Sequence, residues 1–208
     1  VGNRQDSSKL ILEGLKTLEY RGYDSWGIAI GQRDTIVVEK RIGKIGDAET
    51  SLPNSSIGIG HTRWATHGGV TQLNAHPHVN SAATVAVVHN GIVENYQELK
   101  SRLLDDGCVF ISETDTEVIA YLIEKNMQSH DFKGALCKTF SMLVGSNAIC
   151  VLNLKTNEVG VCRDGSPIVL GIGSKEYFIG SDVTAFLPYT NRVIFLEDGQ
   201  GAIIGNDG

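Results

Sequence analysis

The residues best suited to chemistry lie together between positions 59 and 92 of this chain. Five of its six histidines fall in this stretch, within His61–Gly68, Asn74–His78 and Val87–Ile92, together with Arg63, Trp64 and Asn90. Polar side chains are costly to bury unless each has a hydrogen-bond partner. Such a dense group therefore indicates a functional site rather than ordinary core packing.

Two charged residues are suited to hold the two ends of an amino acid. The guanidinium of Arg63 is a planar fork that fits a carboxylate, although a surface salt bridge would use the same geometry. Asp115 lies near the predicted start of a helix, where its charge would suit the positive end of the helix dipole. If Asp115 is instead buried beside a ligand, its carboxylate can bind an ammonium group.

Asn90 and Gly91 follow an apolar run, Thr84–Val88, that is typical of a buried strand. An Asn-Gly pair at that point is compatible with a tight turn. It is also compatible with an oxyanion hole, in which the Asn90 amide and the Gly91 backbone N–H point at one oxygen. Together with Arg63 and Asp115, the second interpretation predicts a ligand that is an amino acid with an additional carbonyl, as glutamine is.

The histidines also allow a different kind of site. His76 and His78 would lie on one face of an extended segment, and His61, His67 or His89 would complete a zinc site of a hydrolase. No aspartate or glutamate lies near the pair and no His-Glu-x-x-His pattern occurs, which argues against this alternative. A catalytically silent module that binds an amino acid is the other alternative.

Composition limits the remaining possibilities. With 208 residues, 41% of them hydrophobic, the chain is long enough for one domain with a sizeable core. Acidic residues outnumber basic ones, 24 to 18, without basic blocks, so we expect no nucleic-acid partner. We also expect no membrane association, and a cytoplasmic protein, because no long apolar run occurs and four widely spaced cysteines, each with apolar neighbours, are typical of inert core thiols.

Short β-branched runs and a few amphipathic segments predict an α+β fold with antiparallel sheets and helices on their outer faces. The first predicted helix starts at about Ser7, with Ile11, Leu15 and Leu18 spaced for one face, and the other three cover residues 94–106, 116–128 and 131–143. The predicted strands cover residues 26–31, 34–42, 56–66, 84–90, 108–112, 146–153, 157–162, 167–173, 176–181, 192–197 and 201–204, most of them bounded by Gly, Asn or Asp.

Five ordered motifs resemble the glutaminase domains of the glucosamine-6-phosphate synthase family, the glutamine:fructose-6-phosphate aminotransferases. They are Leu18–Ser25, His61–Gly68, Asn74–His78, His89–Asn95 and Glu113–Glu117, and the likeness continues through Arg163–Pro167 and Gly180–Asp182. It covers nearly the whole chain. Amidophosphoribosyltransferases share the Asn-Gly and Asn-Ala-His-Pro elements, whereas His-Thr-Arg-Trp-Ala-Thr-His-Gly is typical of the hexosamine branch.

The resemblance implies an N-terminal-nucleophile hydrolase-like fold, a four-layer αββα sandwich of two antiparallel sheets. It implies hydrolysis of glutamine to glutamate and ammonia for amination of fructose 6-phosphate, without cofactor or metal. In this family an N-terminal cysteine thiolate attacks the carboxamide while its own α-amino group serves as the base. By the same resemblance, Asn90 and Gly91 form the oxyanion hole, a loop from Arg63 to about Val70 closes over the ligand, and the residues that hold glutamine are Arg63, Trp64, Thr66, His67 and Asp115.

The sequence also departs from the family pattern. The family opens with Cys-Gly-Ile, whereas this chain opens with Val1–Arg4, so we expect residues 1–208 to be a glutaminase domain without its first few residues and its nucleophile. We expect the sugar isomerase domain to belong to the full-length enzyme, a homodimer, and this domain alone to be a monomer. Trp26 stands where the family has a small residue, and Asn147 stands where it has an aromatic one.

Overall fold

The structure is a computed structural model that describes residues 1–205. Within that range it contains four α-helices and two short 3-10 helices, Glu19–Arg21 and Val183–Ala185. The α-helices are α1 (Ser7–Leu18), α2 (Tyr96–Asp105), α3 (Glu117–Asn126) and α4 (Phe132–Phe140). The strands are β1 (Ser25–Gln32), β2 (Thr35–Ile42), β3 (Gly58–Arg63), β4 (His78–Val79), β5 (Val85–Gly91), β6 (Asn147–Asn153), β7 (Glu158–Asp164), β8 (Val169–Ile172), β9 (Tyr177–Gly180), β10 (Val193–Phe195) and β11 (Gly201–Ile204).

The strands of the described chain form three sheets in which every pairing is antiparallel, as predicted. The largest has the order β11-β7-β6-β5-β4, and the two smaller sheets have the orders β2-β1-β3 and β10-β8-β9. The extended segment Val1–Asn3 lies between the smaller sheets. The Gly2 N–H donates to the Ser56 carbonyl at 3.3 Å, and the Tyr177 N–H donates to the Val1 carbonyl at 2.8 Å.

Four layers follow from where the apolar side chains pack. One cluster joins α2, α3 and α4 to the outer face of the five-stranded sheet, through residues such as Leu103, Ile123 and Ile149. A second joins the inner face of that sheet to β1 and β3, and a third joins the far face of β1 to α1. The order is therefore helices, sheet, sheet, helix, which is the sandwich that the sequence predicted.

Helix α1 forms because its apolar residues recur at helical spacing. Leu12, Leu15 and Leu18 are buried on one face, and the helix begins at Ser7 as predicted. Helix α3 is covered on all sides for most of its length, since every residue from Glu117 to Ile123 is buried. Helix α1 lines the cleft described below, and α3 begins directly after Asp115 and Thr116, which line it as well. Removing one buried leucine side chain of α1 would cost about 2–5 kcal/mol of stability.

Residues 108–112 do not form the predicted strand. Two of their backbone N–H groups are bound by a side chain instead, because Glu117 accepts hydrogen bonds from Ile111 N at 3.0 Å and Ser112 N at 2.8 Å. The apolar content of the segment was therefore misleading. In the other direction, the two-residue strand β4 was not predicted, and it pairs His78 and Val79 with Val87 and Ala86.

Trp26 is accommodated within the third core cluster. Its side chain is only 1% exposed, and the guanidinium of Arg41 lies over its ring at 5.2 Å from the centroid. A large residue at this position is therefore packed rather than disruptive.

The helices in the described range are all too short or too polar to cross a bilayer.

Candidate functional site

A cleft of about 460 Å³ opens between the two smaller sheets, α1 and the ends of β3 and β5. Six of the seven residues predicted from the sequence line it: Arg63, Trp64, Thr66, Asn90, Gly91 and Asp115. Its other walls carry apolar side chains from α1, β3 and β9, such as Leu15, Ile59 and Ile179. The predicted polar residues and these apolar side chains thus line the same cleft, as is typical of a ligand site.

His67 is the exception, since it does not line the cleft. Its ring packs edge-on against Tyr96, with 5.4 Å between centroids, and its carbonyl oxygen accepts a hydrogen bond from Arg63. His67 therefore contributes to the loop through its backbone carbonyl, a contact that the motif alone does not show.

Arg63 ends β3 with its side chain turned under the loop that follows it. One terminal nitrogen donates to the Gly69 carbonyl at 3.2 Å, and the other donates to the carbonyls of His67 and Gly68. Arg63 is 4% exposed, and burial lowers its pKa, an effect that the carboxylates of Asp115 and Asp24 oppose. The guanidinium stays charged, and it shapes the loop while facing the cleft.

The same loop is held from the other side by residues that sequence reasoning did not single out. Asn74 donates to the Gly69 carbonyl and to Glu113, both at 3.0 Å, and its own carbonyl accepts from Glu113 N at 2.9 Å. Glu113 also accepts from Gly69 N at 3.3 Å, and these contacts lower the pKa of Glu113, with the Asn74 hydrogen bond as the main cause. Both residues belong to motifs that resemble the glutaminase family, and membership of those motifs is the sequence signal that points to them.

The other end of the loop depends on Asp24, which also lies in a quoted motif. Its carboxylate accepts a hydrogen bond from Ala65 N at 2.9 Å, while its backbone N–H donates to the Arg63 carbonyl at 3.1 Å. The backbone on both sides of Trp64 is thereby fixed, and Trp64 itself is 58% exposed and packs against Tyr23 with 5.5 Å between ring centroids.

Asp115 is a buried carboxylate that joins the end of β5 to the start of α3. One oxygen accepts a hydrogen bond from Val93 N at 2.8 Å, and the residue is 5% exposed. The second oxygen has no hydrogen-bond partner among residues 1–205. A carboxylate can accept several hydrogen bonds, so Asp115 retains capacity for an ammonium group at the cleft.

Asn90 and Gly91 end β5 at the wall of the cleft. Gly91 has a φ of +144°, and a Cβ added to it would lie 2.1 Å from the Ser146 carbonyl oxygen. Only glycine fits there. The Asn90 side chain is exposed and has no hydrogen-bond partner in the described part of the chain, so its amide is available to a ligand.

Three of the histidines pack together at the wall of the cleft, with tilted and edge-on rather than stacked rings. His61 and His76 have centroids 4.6 Å apart, and His76 and His78 have centroids 5.0 Å apart. Burial lowers the pKa of His61 to about 3 and holds those of His76 and His78 well below their ordinary value. Nowhere in residues 1–205 do three His, Cys, Asp or Glu side chains converge as metal ligands would, so the zinc alternative gains no support.

The cysteines correct the prediction of uniform core thiols. Cys162 is buried and Cys150 is half-buried at the cleft, and burial raises the pKa of each thiol to about 12. Cys108 is half-buried, whereas Cys137 is exposed on α4. Apolar sequence neighbours do not decide exposure on a helix, because adjacent residues point to different sides. A thiol with a pKa of about 12 is a poor nucleophile at neutral pH.

Comparison with known proteins agrees with this geometry. The family model described as "Glutamine amidotransferase domain" matches residues 40–198. Glutamine–fructose-6-phosphate aminotransferases (isomerising) of Thermococcus kodakarensis and Pyrococcus horikoshii are 47% and 48% identical over the whole chain, which spans 35% and 36% of their lengths. The chain therefore corresponds to about a third of these relatives.

Solved structures of amidotransferases share the fold. The glutamine phosphoribosylpyrophosphate amidotransferase of B. subtilis, complexed with ADP and GMP, superposes with a TM-score of 0.84 at 26% identity, covering all of this chain and 46% of that one. A structure titled as the allosteric regulatory enzyme of purine biosynthesis gives a TM-score of 0.87 at 28% identity, with the same coverage. The predicted N-terminal-nucleophile hydrolase-like sandwich is confirmed, and the chain belongs to the glutamine amidotransferase domain family.

Proposed function

We propose that this chain is the glutaminase part of a glutamine–fructose-6-phosphate aminotransferase and that its cleft binds glutamine and the product glutamate. The observation that carries the proposal is that Arg63, Asp115 and Asn90–Gly91 line one and the same cleft. A cation, an anion and a pair of amide donors match the carboxylate, the ammonium and the carboxamide of glutamine. In the full-length protein an isomerase domain would use the released ammonia on fructose 6-phosphate.

Each predicted residue then has a stated task. The free oxygen of Asp115 accepts from the ligand ammonium, and Arg63 attracts the carboxylate with the N–H donors that its loop contacts leave over. Thr66 and Trp64, exposed on the loop, cover the ligand, and His67 supports them by accepting the Arg63 hydrogen bond with its carbonyl. Covering the site excludes water, which strengthens the charged contacts and retains ammonia.

The chemistry requires a nucleophile beside the carboxamide. In the family it is an N-terminal cysteine, whose thiolate adds to the amide carbon while the oxygen becomes negative at Asn90 and Gly91. The α-amino group, which took the proton of the thiol, passes it to the amide nitrogen of the tetrahedral intermediate, so that the C–N bond breaks, ammonia leaves and a thioester remains. Water then hydrolyses the thioester to glutamate and restores the thiol. None of the four cysteines present suits this role, because the one at the cleft, Cys150, has a pKa of about 12.

We propose that the nucleophile enters on residues that precede Val1 in a longer protein. Val1–Asn3 already runs as an extended segment between Ser56 and Tyr177, at the edge of the cleft. An extension along the same path would lie between β3 and β9, against the apolar side chains there. The 208-residue chain alone is accordingly predicted to release no ammonia from glutamine.

The remaining assignments follow from the same proposal. The reaction belongs in the cytosol, where thiols stay reduced, and the four cysteines here are free. The domain itself is proposed to be monomeric, with the contacts of a homodimer supplied by the rest of the full-length protein.

Calorimetry on the 208-residue chain tests the binding proposal. We expect glutamine and glutamate to bind, and Arg63→Ala and Asp115→Asn each to weaken binding at least tenfold, since each removes a charge-assisted contact worth about 1.5–3 kcal/mol. The exposed Arg192→Ala and Asp47→Asn are matched controls and should leave affinity unchanged. Unaltered affinity in both cleft variants would overturn the assignment.

A second assay separates an enzyme from a silent binding module. The chain is prepared as it stands and with a Cys-Gly-Ile-type extension ahead of Val1, and glutamate release is measured for both. Turnover only with the extension supports the glutaminase assignment. Binding without turnover in either form would support a silent module, and turnover by the unextended chain would refute the proposed source of the nucleophile.

A further inference from the structure

Asn147 occupies a position that connects it directly to the proposed oxyanion hole. It begins β6 and lies opposite Gly91 in the register of β5 and β6. The residue is 1% exposed. The resemblance places an aromatic side chain here, so the amide of Asn147 gives this chain a hydrogen-bonding group where an apolar one is expected.

The directions of its hydrogen bonds are determined by its neighbours. The Asn147 side-chain nitrogen donates to the Gly145 carbonyl at 2.7 Å, which turns its carbonyl oxygen toward His89 Nε2 at 2.9 Å. A carbonyl oxygen only accepts, so His89 must carry its proton on Nε2. Burial lowers the pKa of His89, so the ring is neutral and its Nδ1 accepts from the Thr116 hydroxyl at 3.0 Å.

The His89 ring also lies close to Gly91, in the proposed oxyanion hole. A Cβ built on Gly91 would lie 2.9 Å from His89 Nε2 and 3.0 Å from the Asn147 Cα, which shows how tightly the three residues pack. At its other end the network reaches Thr116, the residue after Asp115, which stands at the N-cap position of α3 without a capping side-chain hydrogen bond. One hydrogen-bond network thus runs from behind Gly91 to the residue next to Asp115, through Gly145, Asn147, His89 and Thr116.

We propose that Asn147 is a positioning residue for amide recognition, which holds His89 in one tautomer and thereby fixes Asn90–Gly91 relative to Asp115. The proposal rests on the proposed function, because it concerns how the same cleft recognises the carboxamide of glutamine. A ring with one allowed tautomer and two hydrogen bonds has one orientation. Without Asn147, either tautomer satisfies the Thr116 hydroxyl, which can donate or accept, and the ring beneath Gly91 loses its constraint.

The first test measures the tautomer and does not depend on any ligand. Nitrogen-15 spectra of the histidine-labelled chain at pH 7, with His89 assigned by its loss in His89→Asn, should show a protonated Nε2 and a bare Nδ1. Asn147→Leu, which is close in size and cannot accept, should give a mixture of both tautomers. A protonated Nδ1 in the wild type, or an unchanged spectrum in Asn147→Leu, would overturn the proposal.

The second test separates positioning from stability. Affinities are measured for glutamine and for L-norvaline, which keeps the amino and carboxylate groups but has a methyl group in place of the carboxamide. Asn147→Leu should weaken glutamine binding about tenfold and norvaline binding less than twofold, since one well-aligned hydrogen bond contributes up to about a factor of ten. Asn153→Leu is the matched control, because Asn153 is a buried asparagine at the far end of the same strand.

If Asn147→Leu fails to fold, the same network is tested at Thr116, the other hydrogen-bond partner of the His89 ring. Thr116→Val removes the hydroxyl at equal size and should reproduce the selective loss of glutamine affinity, while Thr116→Ser should restore most of it. Equal losses for glutamine and norvaline would overturn the positioning role alone. Failure of the wild type to bind glutamine would overturn the proposed function and, with it, this role.

Discussion

Gly91→Ala is the substitution whose effect the structure determines most sharply. The added methyl group would lie 2.1 Å from the Ser146 carbonyl oxygen, 2.9 Å from His89 Nε2 and 3.0 Å from the Asn147 Cα. Two of these atoms are backbone, which cannot turn aside as a flexible side chain can. The φ of +144° is in addition one that alanine rarely adopts.

The loss of unfolding free energy expected for Gly91→Ala has two parts that can be separated by experiment. The backbone conformation costs alanine about 1–2 kcal/mol, and forced contacts of this kind add about 1–3 kcal/mol. We therefore expect Gly91→Ala to lower the free energy of unfolding by about 2–5 kcal/mol. Gly43 also has a positive φ, +87°, but nothing lies within 4 Å of its added Cβ, so Gly43→Ala should show the backbone part alone.

Urea unfolding followed by circular dichroism measures both variants, and calorimetry measures glutamine binding by the folded protein. Gly91→Ala should lose more stability than Gly43→Ala by at least about 1 kcal/mol. It should also bind glutamine more weakly, whereas Gly43→Ala should not. Equal losses of stability in the two variants would refute the claim that close contacts behind Gly91 determine the position of the turn.

Three further predictions concern the cluster of His61, His76 and His78, the loop that follows Arg63, and the cysteine thiols. Because burial lowers the folded-state pKa of His61 to about 3, its neutral form stabilises the fold above the unfolded pKa of about 6.5. That stability should decline as pH falls from about 6.5 toward 3, by about 1.4 kcal/mol per pH unit for each such histidine, and an unfolding free energy that is constant from pH 7 to 5 would contradict this. Glu113→Ala should release the loop and speed chymotryptic cleavage after Trp64, whereas the exposed Glu49→Ala should not; equal rates would contradict the clamp. Cys137 should react with a thiol reagent at pH 8 well before Cys150, and the reverse order would contradict their assigned environments.

Local pattern was sufficient for much of the fold. Helix α1 begins at Ser7, close to its predicted start, because its apolar residues recur at helical spacing and no tertiary contact is needed to see that. The prediction for residues 108–112 was wrong because the backbone of that segment is bound by the carboxylate of Glu117, a side chain whose burial no local rule reveals.

At the site, ordered motifs identified Arg63, Asn90, Gly91 and Asp115 as one group, and these residues do line one cleft. Motifs did not reveal how the guanidinium of Arg63 would be used, since its contacts with loop carbonyls depend on the path of the backbone from His67 to Gly69. For the same reason the motif named His67 without showing that its backbone carbonyl binds Arg63.

The amino-acid sequence by itself determined the α+β class, the antiparallel pairing and the residue types that can hold an amino acid, because periodicity, turn residues and side-chain chemistry are local properties. Tertiary structure decided the tautomer of His89 and the contacts of Asn147, from which its positioning role is proposed, since the two residues are brought together from 58 positions apart. Hydrogen bonds across such distances are set by the register of packed strands, and register is a property of the assembled sheet.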